Sequence, residues 1–120
     1  GLSPMCGRDA HGPTASLMSV SKLNNALESN GSLLNVKFSP STLEGEAGLA
    51  KLAAYVRAFS RLGIQHSQFN VVDRATLVDA QEHPERHRDL VVRVAGYSAL
   101  FVELSRTLQD DIINRTEHVL

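Results

Sequence analysis

Leu90-Val91-Val92-Arg93-Val94 is the most strand-like run in the chain, and it stops at Ala95-Gly96. A lone glycine after a β-branched run supplies a positive-φ turn or lets another backbone approach closely. Beyond it, Phe101, Leu104, Leu108, Ile112 and Val119 recur along one face, which predicts an amphipathic helix from Leu100 to about His118. Arg106, Asp110, Asp111 and Arg115 fall off that face and read as solvated. A chain that passes from strand to helix through one glycine uses it either as punctuation or as the point its neighbours are built around.

Upstream, helical and strand patterns alternate. Pro13 opens a helix carrying Leu17, Val20, Leu23 and Leu27, stopped by Asn30-Gly31. Leu33 to Phe38 is a short apolar strand closed by Ser39-Pro40-Ser41. A second helix runs from about Glu44 to Leu62, with Leu49, Leu52, Ala53, Val56 and Phe59 as its apolar stripe and Gly63 as its stop. Gly45 and Gly48 weaken its first turns, so its start can slip to about residue 47. His66 to Val72 is a strand with polar groups on one side, and Asp73 then caps a short helix, Arg74 to Glu82, ended by Pro84. The order helix, strand, helix, strand, helix, strand, helix predicts an α/β fold.

Size and charge bound the function. The 120 residues suffice for one core, which must be aliphatic at 5% aromatic content and without Trp. A formal charge of -1 gives no field for recruiting nucleic acid. No apolar run of about 18 residues is present to span a membrane. The single Cys6 excludes a disulfide framework and fits a reducing, cytoplasmic setting. Gly1-Leu2-Ser3-Pro4 has neither an initiator Met nor a signal-peptide layout and reads as the middle of a longer protein.

Competing chemical sites are weak. His83 and His87 are four apart, but Pro84 breaks a common helix face, and no Cys pair accompanies His11, His66 or His118, so no metal site is expected. Cys6 beside Arg8, Asp9 and His11 has the residue types of an activated thiol, yet a glycine-rich loop fixes no geometry for it. The loop Gly7 to Gly12 follows no strand and lacks the Gly-Lys-Ser/Thr ending of a phosphate-binding loop. Adjacent Asp110 and Asp111 point about 100° apart on a helix and cannot act as a dyad.

The run Leu90 to Ala99, followed by Leu108-Gln109-Asp110-Asp111-Ile112-Ile113 and Arg115-Thr116-Glu117-His118, resembles the C-terminal signature of glycyl radical enzymes. So do Leu33 to Phe38, His66 to Val72, Ala80 to Glu85, and the opening Gly1-x-Ser3-Pro4-x-x-Gly7-x-Asp9-x-x-Gly12-Pro13-Thr14-Ala15. The resemblance implies a C-terminal fragment of a ten-stranded α/β barrel enzyme, with residues 1–65 associated with the barrel and 66–120 forming the glycine radical domain. It implies that Gly96 stores a backbone radical, and that Arg93, Val94, Ala95, Tyr97 and Ser98 form the loop recognised by an activating enzyme. That activase is by resemblance a radical S-adenosylmethionine enzyme with a [4Fe-4S] cluster, and the full-length enzyme a homodimer of anaerobic metabolism. No bound cofactor is implied.

The chemistry fits glycine. Nitrogen donation and carbonyl withdrawal delocalise an electron on the α-carbon, and only a carbon without a side chain becomes planar free of backbone clashes. The family's catalytic cysteine stands in a Gly-Cys-x-Glu setting hundreds of residues earlier, so Cys6 does not match it and the thiyl role is not carried over. Ala95 and Ser98, with Pro13-Thr14-Ala15 and Leu33-Leu34-Asn35, resemble the dehydratase and lyase branch, which includes members described as formate acetyltransferases. The expected reaction is radical cleavage of a C–O, C–N or C–C bond in a small substrate. The alternatives are a stand-alone spare part that docks onto an oxygen-damaged enzyme, and an ordinary α/β domain in which Gly96 only turns the chain. With an apolar strand before it and an aliphatic helix behind it, Gly96 is expected to be buried.

Overall fold

The computed structural model describes Pro4, Met5 and residues 7–120, so Cys6 and the opening Gly1 to Ser3 lie outside the described residues. Helix α1 spans Gly12–Val20, with Pro13 in its first turn as the sequence predicts. It ends earlier than expected: the chain turns at Ser21, and only Asn25–Leu27 resumes, as a single 3-10 turn. Leu23 and Leu27 are therefore exposed.

Strand β1 (Leu34–Phe38), helix α2 (Gly45–Arg61) and strand β2 (Ser67–Val71) form a β-α-β unit whose strands pair in parallel, Leu34 opposite Ser67 through Phe38 opposite Val71. Gly63, at φ +69°, ends α2 in the left-handed conformation that its lack of a side chain permits. The apolar stripe of α2 is displaced from the expected one. Leu52, Tyr55, Phe59 and Leu62 face the sheet and buried Gly48 faces the turn at Thr42–Leu43, whereas Leu49 and Val56 are 64% and 43% exposed. Gly48 fixes this rotation, because a Cβ there would lie 2.4 Å from the Leu43 carbonyl carbon. The glycine read as weakening the helix start is thus a close-approach site, and α2 begins at Gly45.

Helix α3 (Arg74–Glu82) starts where Asp73 predicts: its carboxylate accepts the Thr76 N–H at 2.6 Å. The segment after it departs most from expectation. Strand β3 (Val91–Arg93) is followed by a second strand, β4 (Ser98–Leu100), and the two pair antiparallel, Val91 opposite Leu100 and Arg93 opposite Ser98. Phe101–Glu103 is a 3-10 turn, and the last helix, α4, covers only Arg106–Asn114. The apolar spacing continues across this break because fully buried Phe101 enters the core from the turn rather than from a helix face. Gln109, inside α4, donates its amide to the Phe101 carbonyl at 2.9 Å and fixes that junction. The chain then extends again, and β5 (Glu117–His118) pairs parallel with the end of β1.

The three-stranded sheet, in order β2-β1-β5, has an apolar and a polar face. Leu34, Val36 and Phe38 pack with Leu17, Tyr55 and Ile64 beneath α1 and α2. A second core cluster, Val72, Leu77, Ala80, Val92, Val94, Phe101, Ile112 and Ile113, joins the hairpin to α3 and α4. Asn35 and Lys37 of β1 stand opposite Gln68 and Asn70 of β2 on the polar face. Buried Lys37 donates to the Ile113 carbonyl at 3.1 Å, and its burial lowers its pKa against the attraction of Glu117. Among the described residues no helix is long and apolar enough to cross a membrane.

Candidate functional site

The hairpin puts Gly96 at its tip. The closing pair is Val94 and Tyr97, whose N–H and carbonyl bond at 2.9 Å, leaving Ala95 and Gly96 as the loop. Gly96 has φ +80°, a backbone that L side chains rarely adopt. Ala95, Gly96, Tyr97 and Ser98 are all exposed, with Tyr97 at 50%, so the expected burial of Gly96 is not met within this chain. The cause is the second strand: β4 turns the chain back before any helix can cover the glycine.

The base of the hairpin is anchored. Val94 lies in the core. Arg93 is half-buried, and its guanidinium donates to Ser98 Oγ at 3.1 Å and to Gln68 Oε1 at 3.3 Å. Its backbone is held on both sides by Asn70, whose Oδ1 accepts the Arg93 N–H at 2.8 Å and whose Nδ2 donates to the Arg93 carbonyl at 2.8 Å. Arg115 adds a weaker bond to the same carbonyl, at 3.4 Å, while pairing with Asp111 at 2.8 Å.

Gln68 reaches further out. Its Oε1 accepts the Gly96 N–H at 3.0 Å, and its Nε2 donates to the Val94 carbonyl and to Asn35 Oδ1. The donors on one side and acceptors on the other define which way this amide points. Gln68 and Asn70 are residues that sequence reasoning missed. The available signal was polar alternation in a strand, Gln68-Phe69-Asn70, where the apolar partner faces the core.

The remaining candidates are dispersed. Asp9 bonds the Thr116 hydroxyl and lies 3.3 Å from His118, so it is committed to the C-terminal strand rather than to His11 or Arg8. Burial lowers the pKa of His118, outweighing the Asp9 carboxylate, which raises it. His83 lies 3.7 Å from Glu85, and His87 bonds Asp79 at 2.6 Å. Asp110 contacts Gln81 and Arg106, whereas Asp111 contacts Arg115, so the two carboxylates serve different partners. Among the described residues no group of three His, Cys, Asp or Glu side chains is placed to hold a metal ion.

The two-residue loop thus presents the backbone of an exposed glycine, backed by side-chain amides. A family model described as Glycine radical matches residues 1–102, and the chain belongs to that family. It is 50% identical over 117 residues to trans-4-hydroxy-L-proline dehydratase from Clostridioides difficile, covering 98% of this chain and 15% of that protein. Among solved structures, it is similar to the glycerol-bound B12-independent glycerol dehydratase from Clostridium butyricum, with a TM-score of 0.94 and 51% identity over 98% of this chain and 15% of the other. A structure concerned with 1,2-propanediol dehydration in Roseburia inulinivorans gives a TM-score of 0.93 and 56% identity over 96% of this chain and 14% of the other. The chain therefore spans about 15% of the length of the relatives it matches.

Proposed function

We propose that Gly96 stores a backbone radical for an enzyme of the dehydratase and lyase type, of which residues 66–120 are the radical-bearing domain and residues 1–65 its support on the barrel. The observation that carries this reading is the Gly96 loop itself: a positive-φ glycine at a hairpin tip, in a chain of the glycine radical family. A hydrogen atom removed from the Gly96 α-carbon leaves an electron shared between its amide nitrogen and its carbonyl. Tyr97, Ser98 and Ala95 are the exposed surface by which a radical S-adenosylmethionine activase would recognise the loop; Arg93 and Val94 act as its fixed base.

On this reading the rest of the enzyme shields the exposed tip and carries the cysteine that takes the radical and the residues that select substrate. Similar identity to a hydroxyproline dehydratase, a glycerol dehydratase and an isethionate sulfite-lyase supports radical cleavage of a bond in a small substrate without singling out the substrate or the leaving group. We place the enzyme in the cytoplasm, as a homodimer.

Oxygen exposure tests the assignment. When the activated full-length protein meets air, mass spectrometry is expected to find the chain cut between Ala95 and Gly96. A cut elsewhere, or none, would remove Gly96 from this role.

A further inference from the structure

Between the hairpin and the three-stranded sheet, no backbone hydrogen bond runs from residues 93–97 to β2 among the described residues. The link is made by side chains: Asn70 on the Arg93 backbone, Gln68 on Val94 and Gly96, and the Arg93 guanidinium on Gln68. Asn70 and Gln68 are nearly inaccessible, at 7% and 5% exposure, although they end in amides. Asn70 grips the strand itself. Among the described residues, Gln68 alone hydrogen-bonds the peptide N–H of the glycine.

We propose that Gln68 is a positioning residue for the Gly96 peptide, fixing the direction of its N–H and stabilising the radical form over the parent glycine. This rests on Gly96 being the radical store. Removing the α-hydrogen makes the carbon planar and draws the nitrogen lone pair toward it, so the N–H becomes a stronger donor. A bond to Gln68 Oε1 then strengthens as the radical forms, which stabilises the stored state selectively. The acceptor oxygen is itself held in place. Asn35, fixed opposite Gln68 by strand register, and the Val94 carbonyl take its Nε2 protons, while Arg93 holds the same oxygen from the side. A rotated amide would set an NH2 group against both Arg93 and Gly96, so only the observed orientation satisfies all four partners.

The test uses the activated full-length protein and the electron paramagnetic resonance signal of its glycyl radical. In Gln68→Leu the signal is expected to show an altered amide-nitrogen coupling and a lifetime about tenfold shorter. Gln68→Glu, which retains an acceptor oxygen for the Gly96 N–H but loses the donor that Asn35 and the Val94 carbonyl hold, should recover the coupling and the lifetime only in part. Asn70→Leu, which loosens the strand but leaves the Gly96 N–H bonded, should retain the native coupling. A second measurement needs no variant: after exchange into heavy water, the Gly96 amide deuteron of the wild-type radical should report a hydrogen-bonded N–D. Unchanged coupling and lifetime in Gln68→Leu, or a free N–D in the wild type, overturns the proposal while leaving Gly96 as the radical store. Absence of any Gly96-dependent signal in the wild type overturns that store and this proposal with it.

Discussion

The side-chain carbonyl of Gln68 accepts the backbone N–H of Gly96 at 3.0 Å, across 28 positions of sequence. The contact joins the polar face of the sheet to the tip of a hairpin whose own loop turns on a positive-φ glycine. Exposed as it is, the tip is therefore oriented from below rather than enclosed.

The first consequence concerns Gly96 itself. Among the described residues, apart from its chain neighbours, no atom lies within 4 Å of a Cβ built there, so Gly96→Ala is opposed by backbone conformation and not by crowding. Its expected cost is about 1–2 kcal/mol, the usual penalty for an L residue with a left-handed backbone. Chemical denaturation of the full-length protein should show a folded enzyme with a slightly lowered midpoint.

Gly48 behaves oppositely. A Cβ there would meet the Leu43 carbonyl carbon at 2.4 Å and the Thr42 carbonyl oxygen at 2.7 Å, both backbone atoms that have little room to yield. Gly48→Ala is expected to destabilise by about 3 kcal/mol, overwhelming the roughly 1 kcal/mol that alanine gains in a helix interior. A neutral or raised thermal midpoint would show that α2 can rotate away from the turn before it.

Asp73→Ala should cost about 1 kcal/mol by removing the cap of α3. The bonds from Thr76 lower the Asp73 pKa, so the folded state binds a proton less readily than the unfolded chain. Its contribution is accordingly present above the ordinary carboxylate value of about 3.9 and lost as pH falls below it. Stability measured from pH 7 to pH 3 should therefore converge between wild type and variant at the acid end.

Tyr55 packs its ring edge-on against Phe38, at 5.3 Å, and against Phe69, at 6.0 Å. Burial pushes its pKa up to about 12 against a weaker lowering by the nearby Ser67 hydroxyl, which is not placed for a well-formed hydrogen bond to the Tyr55 oxygen. Tyr55→Phe keeps both ring contacts and is expected to leave stability unchanged or raise it by about 1 kcal/mol. A clear loss in a thermal melt would reveal a partner for the hydroxyl.

What the sequence makes legible follows from where its signals are local. The β-α-β unit is readable because Gly63 and Asp73 mark boundaries that depend on their own chemistry. Membership of the family is readable from residues 90–99, where spacing and identity together are specific. The strands β4 and β5 are not, since three and two residues carry too little pattern, and the apolar spacing from Phe101 to Val119 resembles one helix across two breaks. The expected burial of Gly96 rests on that same apparent helix. Gln68 and Asn70 escape for another reason: alternation shows that they share a face, but their partners lie more than twenty residues away, and only the folded chain brings these together.

The central claim is that the radical resides on Gly96, and magnetic resonance of the anaerobically activated full-length protein tests it most directly. The wild type should give a doublet split by the single remaining α-hydrogen, which collapses when the protein is made with α-deuterated glycine and is absent in Gly96→Ala. A doublet that survives Gly96→Ala would place the unpaired electron elsewhere and contradict the account.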